Sequence, residues 1–224
     1  MSVFKTIRWP LCCLIIFLQS CSNRSSYVEF VPTKADSIAE LSKIKRAFIQ
    51  LGIAAKNIRN GDLITRTGND FTSESLRMLN RRNTTYSHCG IANIEHDSVF
   101  IYHSLGGEWN PNQKIRRDPL GDFSDPSSNK GIGVFRFNLQ DSSISRLIAV
   151  VKEFYSRGVT FDMDFDLSTD DRMYCAEFVY KSYLKSSDGK MHFNHSHIKT
   201  FEFIGVDDIF LHPLCAMQQQ IVYK

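Results

Sequence analysis

Residues 171–183, DRMYCAEFVYKSY, contain the feature from which the fold of this chain can be inferred. Apolar side chains recur at helical spacing after an acidic run, which predicts a helix over residues 173–184. Cys175 then lies in the first turn, where free N–H groups and the helix dipole favour a thiolate. Phe178 and Val179 follow at i+3 and i+4, so the cysteine shares the buried face of the helix. Taken alone, this stretch fits either a small core cysteine or a nucleophile.

Two of the seven histidines are placed to serve such a cysteine. SHCGIANIE (87–95) and SVFIYHS (98–104) are β-rich runs separated by two residues, which predicts a hairpin turning at His96-Asp97. His88 begins the first strand and His103 ends the second, so their side chains should lie nearly opposite on one face. The spacing favours a pair in which His103 fixes the tautomer of His88, although histidines in a hairpin are also often structural or solvent-facing.

The N-terminus has the pattern of a targeting signal. Residues 1–20 combine two basic residues with a short apolar run, and LQSC follows at residues 18–21. The run is too short to span a bilayer. It resembles a bacterial lipoprotein signal, in which Cys21 becomes the lipidated first residue, although Gln19 replaces the small residue more often found there. A buried apolar segment and a secretory signal cleaved elsewhere remain alternatives. The resemblance predicts a lipid anchor on the periplasmic or surface side of the cell envelope.

Composition and charge fit one globular domain behind that signal. The chain has 224 residues, 42% of them hydrophobic and 23% charged. It carries 27 basic and 24 acidic residues without a basic cluster, which argues against a nucleic-acid partner. We predict a signal peptide at residues 1–20, a lipidated polar tether at 21–35 and a single domain at 36–224.

Three cysteines, Cys89, Cys175 and Cys215, fall in the predicted domain. The number is odd and no C-x-x-C spacing occurs, so neither a disulfide framework nor a zinc cluster is indicated.

The remaining patterns predict an α+β domain in which an antiparallel strand meander packs against helices. The first helix should be capped by Asp36 or Ser37, and the second near Thr72. A further amphipathic helix should end at Gly158. The inward face of the first helix is predicted to consist of Ile38, Leu41, Ile44, Phe48 and Leu51.

The order of four short motifs adds a family resemblance. GDLITR, SHCGIA, VFIYHS and YCAEFVY occur in the order found in permuted papain-like cysteine hydrolases of the NlpC superfamily. The chain resembles the YiiX/YebB-like branch, with lecithin retinol acyltransferase-like proteins as more distant relatives. The resemblance covers about residues 58–212 and implies a circularly permuted papain-like fold, in which a strand meander or barrel packs against helices.

The resemblance also implies roles for individual residues. Cys175 matches the nucleophile and His88 the base. The third polar position falls on His103, where relatives can place a carboxylate. Glu177 matches no catalytic position, and we interpret it as a structural residue at the start of the helix.

Three further side chains are candidates for binding the oxyanion or the substrate. Tyr174 or Tyr86 could supply a hydroxyl donor, or simply pack. Asp62 resembles a family position near the site, but capping of the turn is the preferred interpretation.

The predicted function is that of a thiol hydrolase, which cleaves an amide or ester bond through a Cys-His acyl-enzyme and needs no metal or organic cofactor. Peptides, other amides and acyl lipids of the cell envelope are candidate substrates. An apolar groove beside the cysteine would favour acyl lipids, and a polar groove would favour peptides. The alternative is a lipid-anchored binding protein with a catalytically degenerate papain-like fold.

Overall fold

A six-stranded antiparallel sheet organises the chain in the computed structural model, which describes residues 33–224. The elements in chain order are α1 Lys34–Ala55, β1 Leu63–Gly68, α2 Phe71–Arg77, β2 His88–Glu95, β3 Ser98–His103, β4 Arg116–Pro119, α3 Leu120–Phe123, β5 Asn129–Phe137, α4 Asp141–Arg157, α5 Cys175–Ser186, β6 Ser196–Ile198, β7 Phe201–Phe203, α6 Val206–Phe210 and β8 Cys215–Val222. The strand order is β4-β3-β2-β1-β5-β8, and β6 and β7 form a separate two-stranded sheet. The α+β class and the antiparallel meander are confirmed.

The two faces of the large sheet bury different helices. Because side chains alternate along a strand, neighbouring residues of β1 and β2 enter opposite cores. The core that contains α4 and α5 includes Leu63, Ile91, Leu147, Val151 and Phe178. The core that contains α1 and α3 includes Ile64, Ala92, Ala47, Leu51 and Phe123. At roughly 1.5–3 kcal/mol for each large apolar side chain that is buried, both layers contribute strongly to stability.

The predicted hairpin is present between β2 and β3. His96 and Asp97 have φ angles of 48° and 62°, the left-handed conformation that a two-residue type I′ turn requires at both central positions. This turn continues the right-handed twist of the two strands and sets their register.

Helix α1 begins earlier than predicted. Thr33 is the N-cap, and Asp36 occupies the third helical position: the Asp36 N–H donates to Thr33 Oγ1 at 3.2 Å, and the Thr33 N–H donates to Asp36 Oδ2 at 2.9 Å. This reciprocal capping box satisfies two donors, whereas a cap at Asp36 or Ser37 would satisfy fewer. The predicted tether, which ends at residue 35, therefore overlaps the first two residues of the helix.

The predicted inward face of α1 is also wrong for most of its members. Leu51 is buried, but Ile38, Leu41 and Phe48 are exposed. The helix packs through Ala47, Leu51 and Ala54, because small residues allow it to approach the sheet closely.

The other helix boundaries match the predictions more closely. Helix α2 is capped by Asp70 instead of Thr72, through a 2.9 Å bond from the Ser73 N–H. Helix α4 ends where Gly158 adopts a φ of 71°, as predicted. The sequence patterns did not predict β4 or the elements of the C-terminal tail.

The predicted signal peptide and Cys21 lie outside the described residues, as does most of the tether. Within residues 33–224, no helix is long and apolar enough to cross a membrane.

Candidate active site

The candidate nucleophile stands at the start of α5. Cys175 is the first helical residue and is partly exposed, after Tyr174 in the extended N-cap position. The Tyr174 N–H donates to Glu177 Oε2 at 3.1 Å, so Glu177 caps the helix. Burial raises the pKa of Glu177 to about 7, although the Lys181 ammonium at 3.0 Å opposes the shift. Glu177 therefore has the structural role predicted for it.

The surroundings of Cys175 favour its thiolate. Hydrogen bonding from the Cys89 thiol lowers the pKa of Cys175, and backbone N–H groups of Cys89 and Ala176 add to this effect against the cost of burial. The positive charge of Arg66 lowers the pKa further. Burial raises the pKa of Cys89 itself, so Cys89 remains a thiol and can act as a donor. These groups prepare Cys175 for nucleophilic attack.

The two candidate histidines meet in the structure. His88 Nε2 lies 2.8 Å from His103 Nδ1, and both rings are buried. The register pairs Ile91 with Tyr102, so His88 and His103 are diagonal neighbours on one face instead of directly opposite residues. Both rings pack against Phe123 of α3, which holds them in place.

A carboxylate extends this pair into a chain of three groups. His103 Nε2 lies 3.1 Å from Asp118 Oδ2, on the neighbouring strand β4. Although burial raises the pKa of Asp118, its hydrogen bonds with His103 and Arg116 lower the pKa overall, so Asp118 is ionised. The carboxylate can only accept, and His103 Nε2 must therefore carry the proton. His103 Nδ1 is then an acceptor, His88 Nε2 is its donor, and His88 Nδ1 keeps a free lone pair.

Both imidazoles are neutral at pH 7, which this arrangement requires. Burial lowers the pKa of His103 to about 4, against the favourable effect of Asp118. Burial, followed by the charge of Arg66 and the neighbouring His103, holds the pKa of His88 well below its ordinary value. His88 is thus poised as a neutral base, and His103 fixes its tautomer as the spacing predicted.

Cys175 and His88 form no direct hydrogen bond among the described residues. The N–H of Cys89, the residue that follows His88, helps to lower the pKa of Cys175. The Ser104 hydroxyl donates to the Met173 carbonyl and thereby fastens the end of β3 to the segment that precedes α5. Catalytic hydrogen bonds are often long before substrate binds, so this arrangement is compatible with proton transfer in a complex.

The two candidate tyrosines are engaged away from the sulfur. The Tyr174 hydroxyl accepts a 2.7 Å bond from the Ile204 N–H. Tyr86 packs edge-on against Phe135 and Phe210. Both side chains therefore pack, which is the alternative interpretation of their roles.

Asp62 lies at the other end of β1 from Arg66. Its carboxylate accepts two bonds of 2.7 Å from Arg136 and a 2.8 Å bond from the Arg59 N–H. It therefore caps the turn and pairs with Arg136, and the structure does not bring it to Cys175.

An apolar groove of about 700 Å³ adjoins the small cleft that contains Cys175. The small cleft that contains Cys175 shares Leu76 and Phe165 with this groove. Trp109 and Phe71 are 100% and 86% exposed along it, and Arg116 supplies a cation. Exposed aromatic side chains in a concave surface are typical of a ligand-binding site.

Three groups near the site were not predicted from the sequence. Asp118 lies on a four-residue strand that ends in proline, without apolar alternation. Cys89 was counted only as an odd cysteine. Arg66 could have been predicted to lie near the site, because it ends the GDLITR motif of the family resemblance. In the structure it pairs with His88 across β1 and β2.

Comparisons with known proteins bear on the family and the fold. The family model "Permuted papain-like amidase enzyme, YaeF/YiiX, C92 family" matches residues 57–202. Among solved structures, the chain is similar to the metalloprotein YiiX from Escherichia coli O157:H7, with a TM-score of 0.58 and 18% identity over 74% of this chain and 97% of that one. No sequence among the curated proteins matches significantly.

That structure is named as a metalloprotein. Within residues 33–224, no group of three or more His, Cys, Asp or Glu side chains is placed to hold a metal ion. Three ring nitrogens of His88 and His103 are already occupied by each other and by Asp118. The described residues therefore do not fit a metal centre.

Proposed function

The chain belongs to the family of permuted papain-like amidases, and from this premise we propose that Cys175 cleaves an amide bond through an acyl-enzyme, with His88 as its base. The observation that carries the proposal is the hydrogen-bonded chain from Asp118 through His103 to His88, which leaves Nδ1 of His88 free to act as a base, together with the lowered pKa of Cys175.

Each step uses a group already placed at the site. His88 Nδ1 takes the proton of Cys175, and the sulfur attacks the substrate carbonyl. The developing oxyanion accepts from the first-turn N–H groups of α5, including that of Cys175, which have no acceptor within the helix. His88 then protonates the leaving amine, and the C–N bond breaks. Water adds to the thioester with His88 again as base, which releases the acid and regenerates the thiol.

The groove suggests the substrate class. Its exposed aromatic lining, with Trp109 and Phe71 as the most exposed members, favours an apolar acyl chain over a polar peptide. We therefore propose an amide whose acyl part is long and apolar, with the carbonyl at Cys175 and the chain along the groove.

The experiment is covalent labelling with acyl probes. The full chain would be incubated with a fluorogenic N-acyl amide series from two to sixteen carbons, and the acyl-enzyme would be trapped by acid quench and located by mass spectrometry. We expect an acyl adduct on Cys175 in the wild type and in the Cys215→Ala control, and no adduct in Cys175→Ala. An equal adduct in Cys175→Ala would refute the nucleophile.

Chain length separates the substrate proposal from the mechanism. Turnover that rises with acyl length, and that falls back in Trp109→Ala, supports the apolar substrate. Turnover of short peptide amides without length dependence would reject it while leaving the nucleophile intact. The absence of any adduct and of any turnover would favour the degenerate binding protein.

For location, we propose that Cys21 carries the lipid anchor and holds the domain at the bacterial cell envelope. The support is the sequence pattern of residues 1–21 alone. Mass spectrometry of the protein from membranes should find an acylated Cys21 at the mature N-terminus. Cleavage at another residue, or an unmodified Cys21 after it, would contradict the proposal.

A further inference from the structure

Helix α1 carries a second apolar face that is largely exposed in the described domain. Ile38, Leu41, Phe48, Ile49 and Ile53 are between 46% and 66% exposed. At about 100° per residue Ile38, Ile49 and Ile53 lie on the side of the helix opposite the buried Ala47, Leu51 and Ala54, and Leu41 and Phe48 lie between the two sides. We call these five residues the outer face. A helix of 22 residues extends about 33 Å, so the outer face is a long stripe and not an isolated contact.

The charges of the helix are sorted between its sides. Lys34, Lys45 and Lys56 project on the same side as the outer face, and all three are exposed. None of them pairs with a carboxylate among residues 33–224. The two acidic residues, Asp36 and Glu40, lie on the side that faces the sheet. Asp36 is used in the capping box, and Glu40 pairs with Lys43 at 3.3 Å.

An apolar stripe in which the only charged side chains are cations has a specific chemical complement. Its partner must accept apolar side chains and present negative charge beside them, as the interface of an anionic bilayer does. A second copy of the chain fits poorly. Antiparallel pairing of two α1 helices about their midpoint would place Lys45 opposite Lys45 and Lys34 opposite Lys56.

We propose that the outer face of α1 binds the surface of an anionic lipid bilayer, with the helix axis parallel to the membrane plane. The apolar side chains enter the region between headgroups and acyl chains, and the three lysines meet the lipid phosphates. The contact sets the orientation of the domain at the bilayer surface. The proposal is independent of the catalytic assignment and of acylation at Cys21.

The test places a local reporter on the helix in the full chain. The background carries Cys21→Ser, which removes the proposed acylation site, and Trp9→Phe with Trp109→Phe, which removes both native tryptophans. Phe48→Trp reports from the outer face. Tyr155→Trp, on α4 at the other side of the sheet and 42% exposed, is the matched control.

Vesicles of phosphatidylcholine with one third phosphatidylglycerol, brominated in their acyl chains, are then added. We expect strong quenching of Phe48→Trp, weak quenching of Tyr155→Trp, and loss of the difference at high salt. Equal quenching of both reporters, or quenching of neither, would overturn the proposal. Oligomers that protect Phe48→Trp without lipid would assign the face to a second copy and also overturn it.

Charge reversal provides the second readout. Replacement of Lys34, Lys45 and Lys56 by Glu should raise the lipid concentration needed to quench Phe48→Trp by about a hundredfold, since each cation near an anionic surface contributes about fivefold. The control reverses three exposed lysines elsewhere on the domain, Lys114, Lys190 and Lys199. An equal effect of both triple variants would show only a net-charge effect and would reject the helix as the contact.

Discussion

Replacement of Cys89 by Ala should raise the pKa of Cys175. The Cys89 thiol is the largest contributor to the lowered pKa of Cys175, ahead of the backbone N–H groups and Arg66. Burial keeps Cys89 protonated, so it donates to the sulfur of Cys175 without competing for the negative charge. The substitution removes this donor and leaves the Cys89 backbone N–H in place.

The size of the shift follows from the type of bond. A hydrogen bond to a charged group contributes about 1.5–3 kcal/mol. A thiol is a weak donor, so the lower end of that range applies, which corresponds to about a tenfold loss of thiolate at a pH below the pKa. The lost sulfur leaves a small cavity in the core, which should cost about 1 kcal/mol of stability and leave the domain folded.

The assay is the pH dependence of alkylation. The rate of iodoacetamide modification at Cys175, followed by peptide mass spectrometry, rises with pH as the thiolate forms, and its midpoint reports the pKa. We expect the midpoint to move up in Cys89→Ala and to stay at or below the wild-type value in Cys89→Ser, which keeps a donor. Cys215→Ala is the control for general effects of cysteine removal. An unchanged or lower midpoint in Cys89→Ala would refute the reasoning.

Three further predictions test the charge pairs of the domain. Asp118→Asn should reduce amide turnover by about 10²–10⁴-fold with little change in melting temperature, because His103 loses the acceptor that sets its tautomer. Full turnover in this variant would contradict the role of the Asp118–His103–His88 chain. Arg136→Leu should lower the free energy of unfolding in urea by about 3–5 kcal/mol, because buried Asp62 loses its partner. Cys175 should still be alkylated at urea concentrations below the unfolding transition. Loss of alkylation in the folded variant would place Asp62 at the site. Although burial opposes ionisation, hydrogen bonds from Arg117 lower the pKa of Glu95 from 4.5 to about 2. Since the pKa of Glu95 is lower in the folded than in the unfolded state, this stabilisation is complete above pH 4.5 and is lost as the pH falls towards 2. The melting temperature of Glu95→Gln should therefore fall less steeply between pH 4.5 and 2 than that of the wild type. An equal slope of melting temperature against pH in both proteins would argue against this contribution.

Local patterns were sufficient for the elements that carry the nucleophile and the base. The helix that begins at Cys175 and the hairpin that turns at His96-Asp97 follow from periodicity and turn chemistry, which act over a few residues. The approach of His88 and His103 could be predicted because one short turn sets the register of both strands. The order of these motifs along the chain was enough to indicate the permuted papain-like family.

The tertiary structure alone determined which groups complete the site. Asp118 reaches His103 only because an unpredicted strand pairs at the edge of the sheet, and Cys89 acts on Cys175 only because α5 packs on that face of β2. The apolar pattern of α1 predicted one buried face, whereas the structure buries a neighbouring one, which shares only Leu51 with it and otherwise consists of small residues. Periodicity shows which residues share a side of an element. The partner of that side depends on contacts between residues far apart in the chain, whose free energy is set by burial and shape instead of by local sequence.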